Sequence, residues 1–268
     1  MRHGLALAAA LLLLLAAMAF KDVLVRLPSP PDAPSAGFDA NRAAARLARI
    51  LGDQRSHPVD SAANDAVRER LIAEMRAVGL QPRVTDDFVC NSFARSRAVA
   101  CARVRNLVAT IPPRYGEGNR PQGGGGGGPA EGRHLLLSIH YDSTFAGPGA
   151  ADAGIGIATL LETAALLRGR PLRRPVTLLI NDGEEMGLLG ARAFLARDPL
   201  AARVDSVLNF EARGVTGPAV MFETSVPNGT AIDHYERAVD RPAANSLTTD
   251  LYRLIPNSTD VAVYKARP

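Results

Sequence analysis

The sequence predicts an α/β protein with a mostly parallel sheet, on three observations. Short apolar runs bounded by Pro, Gly or charge stand at 106–111, 134–139, 176–180, 204–210 and 219–222, each suited to a buried strand. Between them lie stretches with apolar residues three or four apart, at 155–167, 188–196 and 231–239. Strand and helix therefore alternate, the pattern that builds parallel sheets through crossover connections.

Composition narrows the class further. With 268 residues, 47% hydrophobic and 22% charged, the chain is neither disordered, collagen-like nor a polytopic membrane bundle. Aromatics make up 5% and Trp is absent, so Ala, Leu, Val and Ile must build the core. A net charge of +4 from 31 basic and 27 acidic residues is too mixed for a nucleic-acid footprint, and no nucleic-acid partner is expected. The densest basic knot, Arg168, Arg170, Arg173 and Arg174, falls at a predicted helix end, where cations favour the macrodipole.

The first 26 residues stand apart. Arg2 and His3 precede an unbroken apolar run from Gly4 to Phe20, which Lys21 and Asp22 close. Seventeen residues is the lower limit for spanning a bilayer core of ~30 Å, and Ala17-Met18-Ala19 has the small-x-small form of a signal-peptidase site. Residues 1–26 thus read as a signal peptide or a membrane anchor, and the body is expected to be exported, periplasmic, extracellular or membrane-anchored. Pro28, Pro30, Pro31 and Pro34 make 27–37 a stiff linker to a body at 38–268. In an exported chain the two cysteines, Cys90 and Cys101, are expected to form a disulfide that staples a loop or hairpin.

The body opens with helices. Asp39 is a cap for 41–51, and Asp60 or Ser61 caps a helix to Val78 with Val67, Leu71, Ile72 and Met75 on one side and Gly79 as its stop. Six consecutive glycines at 123–128 read as a flexible loop between strands, because no GK[ST] or GxGxxG context makes them a phosphate cradle.

Chemistry gathers where the strands end, the place at which open α/β sheets bind ligands. His140 and Asp142 close one strand, Asp152 opens the next helix, Glu184 and Glu185 follow another strand, and Glu211 follows a third. Singly, each has a bland explanation: a satisfied histidine, a helix cap, acids at a helix start. Together, carboxylates in a partly dry cleft repel one another unless a cation sits among them. Imidazole and carboxylate without thiolate suit zinc. Asp152, Glu185 and Glu211 bring −3 against a neutral His140, so two divalent ions with a hydroxide balance the charge better than one, with Asp152 as the bridge. Asp142 is placed to accept the other imidazole N–H, and Glu184 is left free to take a proton from water.

The stretches HLLLSIHYDS at 134–143, GPGAADAGIGIATLLE at 147–162, VTLLINDGEEMGLLGARAF at 176–194 and VLNFEARG at 207–214 resemble the signature blocks of peptidase family M28, the co-catalytic di-zinc aminopeptidases. The nearest branch is the membrane-associated endoplasmic reticulum metallopeptidase type with its bacterial relatives. Weaker likeness at 57–80 and 254–265 extends the resemblance over nearly everything after the linker.

The resemblance implies a three-layer α/β/α sandwich with a mostly parallel mixed sheet. It also implies two zinc ions: one held by His140 and Glu211, one by Glu185, with Asp152 between them, Glu184 as general base and a peptide as substrate. Two departures stand out. Relatives carry a second acid, often after an unusual peptide bond, where this chain has Ala153. They also take a further His near the C-terminus, which none of His3, His57, His134 and His234 matches in place, so the sequence is expected to be a piece of a longer protein whose last strand or strands lie beyond Pro268. The function expected is zinc-dependent aminopeptidase hydrolysis. The alternatives are a glutaminyl cyclase, which shares the scaffold and uses one zinc, and a catalytically silent binding ectodomain.

Overall fold

A computed structural model describes residues 2–24, 37–93, 98–114, 132–212, 219–240, 242–244, 250 and 258–266. The polyglycine run at 123–128 and nearly all of the linker at 27–37 lie outside the described residues. The chain forms two units, Met1–Pro30 with Gly214–Thr249, and Pro31–Arg213 with Asp250–Pro268.

The second unit holds the sheet. Helix α2 (Ala40–Leu51) starts where Asp39 Oδ1 accepts the amides of Asn41 at 2.9 Å and Arg42 at 3.1 Å. Helix α3 (Ala62–Ala77) starts at Ser61, whose Oγ accepts from Asn64 N at 3.1 Å. Strands β1 (Arg83–Val84), β4 (Leu107–Ile111), β6 (Val176–Asn181), β5 (His134–His140) and β7 (Val204–Asn209) follow in that spatial order. The pairs β5/β6 and β5/β7 are parallel, while β4 runs antiparallel to β6.

Alternation along these strands sorts side chains onto two covered faces. Leu107, Ala109 and Ile111 of β4, Leu137 and Ile139 of β5, and Leu178 and Ile180 of β6 pack with Ile50, Leu71, Met75, Leu160 and Leu161 from α2, α3 and α4 (Ile155–Arg168). Val108, Leu136 and Leu179 point the other way, against Phe194 of α5 (Leu189–Arg197), Ala201 of a 3₁₀ turn (Pro199–Arg203) and Val204, with Tyr264 beside them. The result is the three-layer α/β/α arrangement with a mixed sheet. The segment from Ala150 through α4 is long and apolar enough to cross a membrane, but Ile157, Leu160, Leu161 and Ala164 are buried against the sheet, which is what a core helix requires.

Two further pieces complete this unit. Strands β2 (Asp87–Phe93) and β3 (Ala98–Val104) form an antiparallel hairpin in which Cys90 sits opposite Cys101, and the two are joined as a disulfide. The hairpin packs Val89, Ala102 and Val104 against Leu189 and Ala193 of α5. A short helix, α7 (Asp260–Lys265), is capped by Thr259, whose Oγ1 accepts from Val261 N at 3.2 Å.

The first unit carries α1 (Arg2–Leu24), whose Leu5 to Phe20 apolar side chains are exposed, and α6 (Gly229–Ala238), on which His234 lies. The strand expected at 219–222 is not formed: among the described residues the pairing there is a single bridge between Met221 and Ala244.

Candidate metal centre

Parallel pairing puts the ends of β5, β6 and β7 on one edge. His140 pairs with Asn181, Tyr141 N donates to Asn181 O at 2.9 Å, and Phe210 N donates to Ser138 O at 2.8 Å. The residues after each strand therefore enter the same cleft, and all six sequence-predicted residues lie around it.

His140 is the centre, with a buried ring. Its Nδ1 lies 3.0 Å from the Asp142 backbone carbonyl and 3.5 Å from Asp142 Oδ1. A carbonyl only accepts, so Nδ1 carries the proton and Nε2 is the atom turned to the acids. Nε2 stands 3.1 Å from Asp152 Oδ1 and 3.8 Å from Glu211 Oε1. Burial opposes the imidazolium, but the hydrogen bonds to Asp142, Asp152 and Glu211 outweigh it and hold His140 well above its ordinary pKa.

Asp142 does more than face the ring. Its Oδ1 accepts the amide of Glu184 at 3.0 Å and its Oδ2 that of Glu185 at 3.2 Å. Asp152 lies in a π-type turn (Ala150–Gly154), and its peptide bond to Ala153 is cis. The turn enters through Gly149 at φ +65°, where a Cβ would meet the Asp152 carbonyl at 2.8 Å and Ser143 Cβ at 3.0 Å, so glycine is required.

The acids are crowded. Burial, reinforced by Asp260 and Glu211 and partly offset by His140, pushes Glu184 up to about 9. Glu185 is open on one side, yet partial burial and the neighbouring acids push it up to about 7. Glu211 is buried at its carboxylate and accepts from Ala212 N at 2.9 Å.

Asp260 is an acid that the sequence reading passed over. It is fully buried, Oδ2 accepts from Asn181 Nδ2 at 2.6 Å, and Oδ1 has no hydrogen-bond partner among the described residues. Burial pushes it up to about 7, and Glu211 and Asp142 add to that. Its sequence signal is faint: an acid after Ser-Thr at a helix start looks like a solvated first-turn residue.

A cation fits this donor set. Three ligands about 2.1 Å from a tetrahedral zinc lie about 3.4 Å apart, and the 3.1 and 3.8 Å separations from His140 Nε2 bracket that value. Donor atoms of His140, Asp152 and Glu211 all lie within 4.8 Å of one another, as do those of His140, Glu184 and Glu185. The acids held partly neutral and the unpaired Asp260 oxygen mark negative potential that His140 offsets only in part.

The family model described as "Peptidase family M28" matches residues 125–267, just over half of the chain. This chain belongs to peptidase family M28. It is 31% identical over 264 residues to a vacuolar membrane protease of Phaeosphaeria nodorum, covering 92% of this chain and 27% of that protein. It is 34% identical over 232 residues to a vacuolar membrane protease of Lachancea thermotolerans, covering 79% and 22%. The chain thus spans about a quarter of the length of these M28 relatives. Among solved structures, a Zn-dependent exopeptidase from Parabacteroides distasonis aligns with a TM-score of 0.57 at 15% identity over 85% of this chain and 84% of that one. A glutaminyl cyclase from Porphyromonas gingivalis aligns at 0.56 and 20% identity, over 85% and 79%. These two likenesses bear on the fold, the α/β arrangement already described.

Proposed function

We propose that this M28 chain is a zinc-dependent aminopeptidase that removes N-terminal residues from peptides. The observation that carries the reading is the His140, Asp152, Glu211 donor triangle with the half-buried Glu184 carboxyl beside it. His140 and Glu211 would hold one zinc, Glu185 a second, and Asp152 would bridge them. Bound zinc would supply Lewis acidity, polarising a carbonyl and making water a stronger acid. Glu184 takes the proton from the attacking water and returns it to the leaving amine. Asp142 fixes both ends of this apparatus: its carbonyl orients the His140 ring, and its carboxylate holds the amides of Glu184 and Glu185. Asp260, buried against Asn181, is held partly neutral and would ionise more fully with a cation bound nearby.

Residues 1–26 are proposed as a membrane-attaching or signal segment, 27–37 as a linker and 38–268 as the metallopeptidase domain, with the body outside the cytoplasm. The exposed apolar side chains of α1 and the membrane protease relatives support attachment.

The test is Glu184→Gln. Hydrolysis of aminoacyl-nitroanilides should fall 10²- to 10⁴-fold while zinc per chain stays unchanged. Equal loss of zinc and activity would make Glu184 a ligand instead. A glutaminyl peptide that loses ammonia without chain cleavage would shift the reading to cyclisation.

A further inference from the structure

The parallel strands begin on one edge of the sheet, opposite the metal centre. Leu135 of β5 pairs with Val176 of β6, and His134 of β5 pairs with Val204 of β7. Strand β4 runs the other way and ends there, with Ile111 beside Val176. The residues around these strand ends are basic. Arg133 precedes β5, Arg173 and Arg174 precede β6, and Arg203 precedes β7. Arg114 follows β4, its amide donating to the Leu172 carbonyl at 3.1 Å. Arg168 closes α4, and Arg170 lies in the turn just after it.

The helix dipole accounts for one of these seven at most, because Arg168 alone lies in the last turn of α4. Arg168 Nη1 donates to the Val78 carbonyl at 2.7 Å and Arg133 Nη1 to the Ala202 carbonyl at 3.4 Å. A carbonyl takes the hydrogen bond and leaves the positive charge in place. In 112–114, 132–134, 168–176 and 203–205 the one described acid is Asp205, which pairs with Arg174. Burial raises this carboxyl, but the Ser206 hydroxyl, the Arg174 guanidinium and the charge of Arg133 outweigh it and hold it below its ordinary pKa. Elsewhere in the same unit arginines are matched: Arg46 and Arg49 meet Glu74, and Arg103 meets Asp86. Seven arginines against one aspartate exceed the +4 of the whole chain, so positive charge is concentrated at this edge while acids gather at the opposite one. Arg114, Arg133, Arg170, Arg173 and Arg203 are exposed.

We propose that this arginine edge docks on the anionic headgroups of the bilayer to which α1 attaches the chain, turning the metal cleft away from the lipid. Planar guanidinium groups match phosphate oxygens two at a time. Each basic side chain brought to an anionic surface strengthens the contact roughly 5-fold, and a tether through the linker raises the local concentration of lipid, so a modest intrinsic affinity suffices. Strand β5 is seven residues long, roughly 20 Å, which sets the height of the cleft above the headgroups and leaves it open to peptides from the water. The proposal rests on the attachment of α1 and goes beyond the metallopeptidase reading.

The test is amide hydrogen exchange on the full chain reconstituted with vesicles of phosphatidylcholine alone or with about 30% phosphatidylglycerol, the anionic component that basic side chains recognise. Exchange at 168–176 and 203–207 should slow at least ~3-fold with the anionic vesicles only, and the slowing should vanish in about 0.5 M salt. The cleft segment 182–190 should exchange equally in both. Arg170→Gln with Arg173→Gln, both at exposed positions, should weaken docking roughly 25-fold and abolish the slowing, with thermal unfolding unchanged. Equal exchange in the two vesicles, slowing that survives salt, or slowing that survives the double variant would overturn the docking edge. Equal slowing by polyglutamate or DNA in solution would overturn it too, assigning the edge to an acidic polymer. A chain that fails to sediment with phosphatidylcholine vesicles would overturn the attachment of α1 alone, and exchange with the anionic vesicles would still judge the edge.

Discussion

Asp142 Oδ1 accepts the backbone N–H of Glu184 at 3.0 Å, so the proposed base is positioned by an acid from the end of the neighbouring strand. The second oxygen does the same for Glu185 at 3.2 Å. Asn at this position keeps one acceptor and places an NH2 group against the other amide, which turns one hydrogen bond into a donor–donor contact. Asp142→Asn is therefore expected to lower kcat and zinc affinity by roughly 10- to 100-fold, the range for residues that orient metal ligands, with the fold intact by circular dichroism. Full activity with full zinc would remove Asp142 from this role.

The metal-free protein should lose stability as pH rises. Burial pushes Asp182, Glu185 and Asp260 up to about 7 and Glu184 up to about 9. Unfolded carboxyls titrate near 4, so the stability these groups contribute is complete below that value and is lost as pH climbs through 7 to 9. His140, held high, acts in the same direction: its contribution is present below about 6.5 and fades above its folded value. In EDTA, Tm should drop between about pH 5 and about pH 9 by at least ~3 °C, given ~2–4 °C per kcal/mol for a domain of this size. Zinc should flatten the drop, because a cation stabilises the ionised carboxylates, and its binding should release protons into a weakly buffered solution. A metal-free Tm that rises over this range would contradict the charge assignment.

The parts of this picture differ in how plainly the sequence shows them. Strands β5 and β6 are legible because both faces are covered, so HLLLSIH and VTLLIN read as continuous apolar runs. Asp39 and Ser61 show as caps because their hydrogen bonds are local. The β2–β3 hairpin is hidden for the opposite reason. One of its faces is open, with Phe88 and Val99 exposed, and its inward residues include Asn91 and Ala100, so no period-2 apolar signal stands out. Asp260 is hidden because its burial is created by Asn181, 79 positions away, and no local pattern encodes that pairing. The short run at 219–222 shows the converse, an apolar segment that makes only a single bridge, Met221 to Ala244, among the described residues.

The Cys90–Cys101 disulfide joins residues directly opposite across β2 and β3. Replacing both with Ser should destabilise the folded chain by roughly 3 kcal/mol on the chain-entropy account of a loop this size. Thermal unfolding with and without reductant measures it: wild type should lose stability on reduction and the double variant should not. Peptide mapping that finds two free thiols in protein from an oxidising compartment would contradict the bridge.

The same hairpin reaches the turn that carries the two glutamates. Asn91 Nδ2 donates to the Gly187 carbonyl at 3.0 Å, and Gly187 itself sits at φ +111°, under the Phe93 ring. A Cβ at Gly187 would lie 2.4 Å from Phe93 Cζ, so the turn admits no side chain there. The amides of Glu184 and Glu185 are tied at one end by Asp142, and the Gly187 carbonyl is tied at the other by Asn91. Losing the second tie leaves zinc ligation in place and widens the range of positions open to Glu184, which acts only when aligned with the attacking water. Asn91→Ala should thus lower kcat by about 5-fold, the equivalent of one net hydrogen bond of ~1 kcal/mol, with KM and zinc content little changed. Asn91→Asp keeps an acceptor but loses the donor, and should behave like the alanine variant, whereas Asn91→Gln should recover part of the rate. A kcat that is indifferent to all three substitutions would show that Asp142 alone holds the turn.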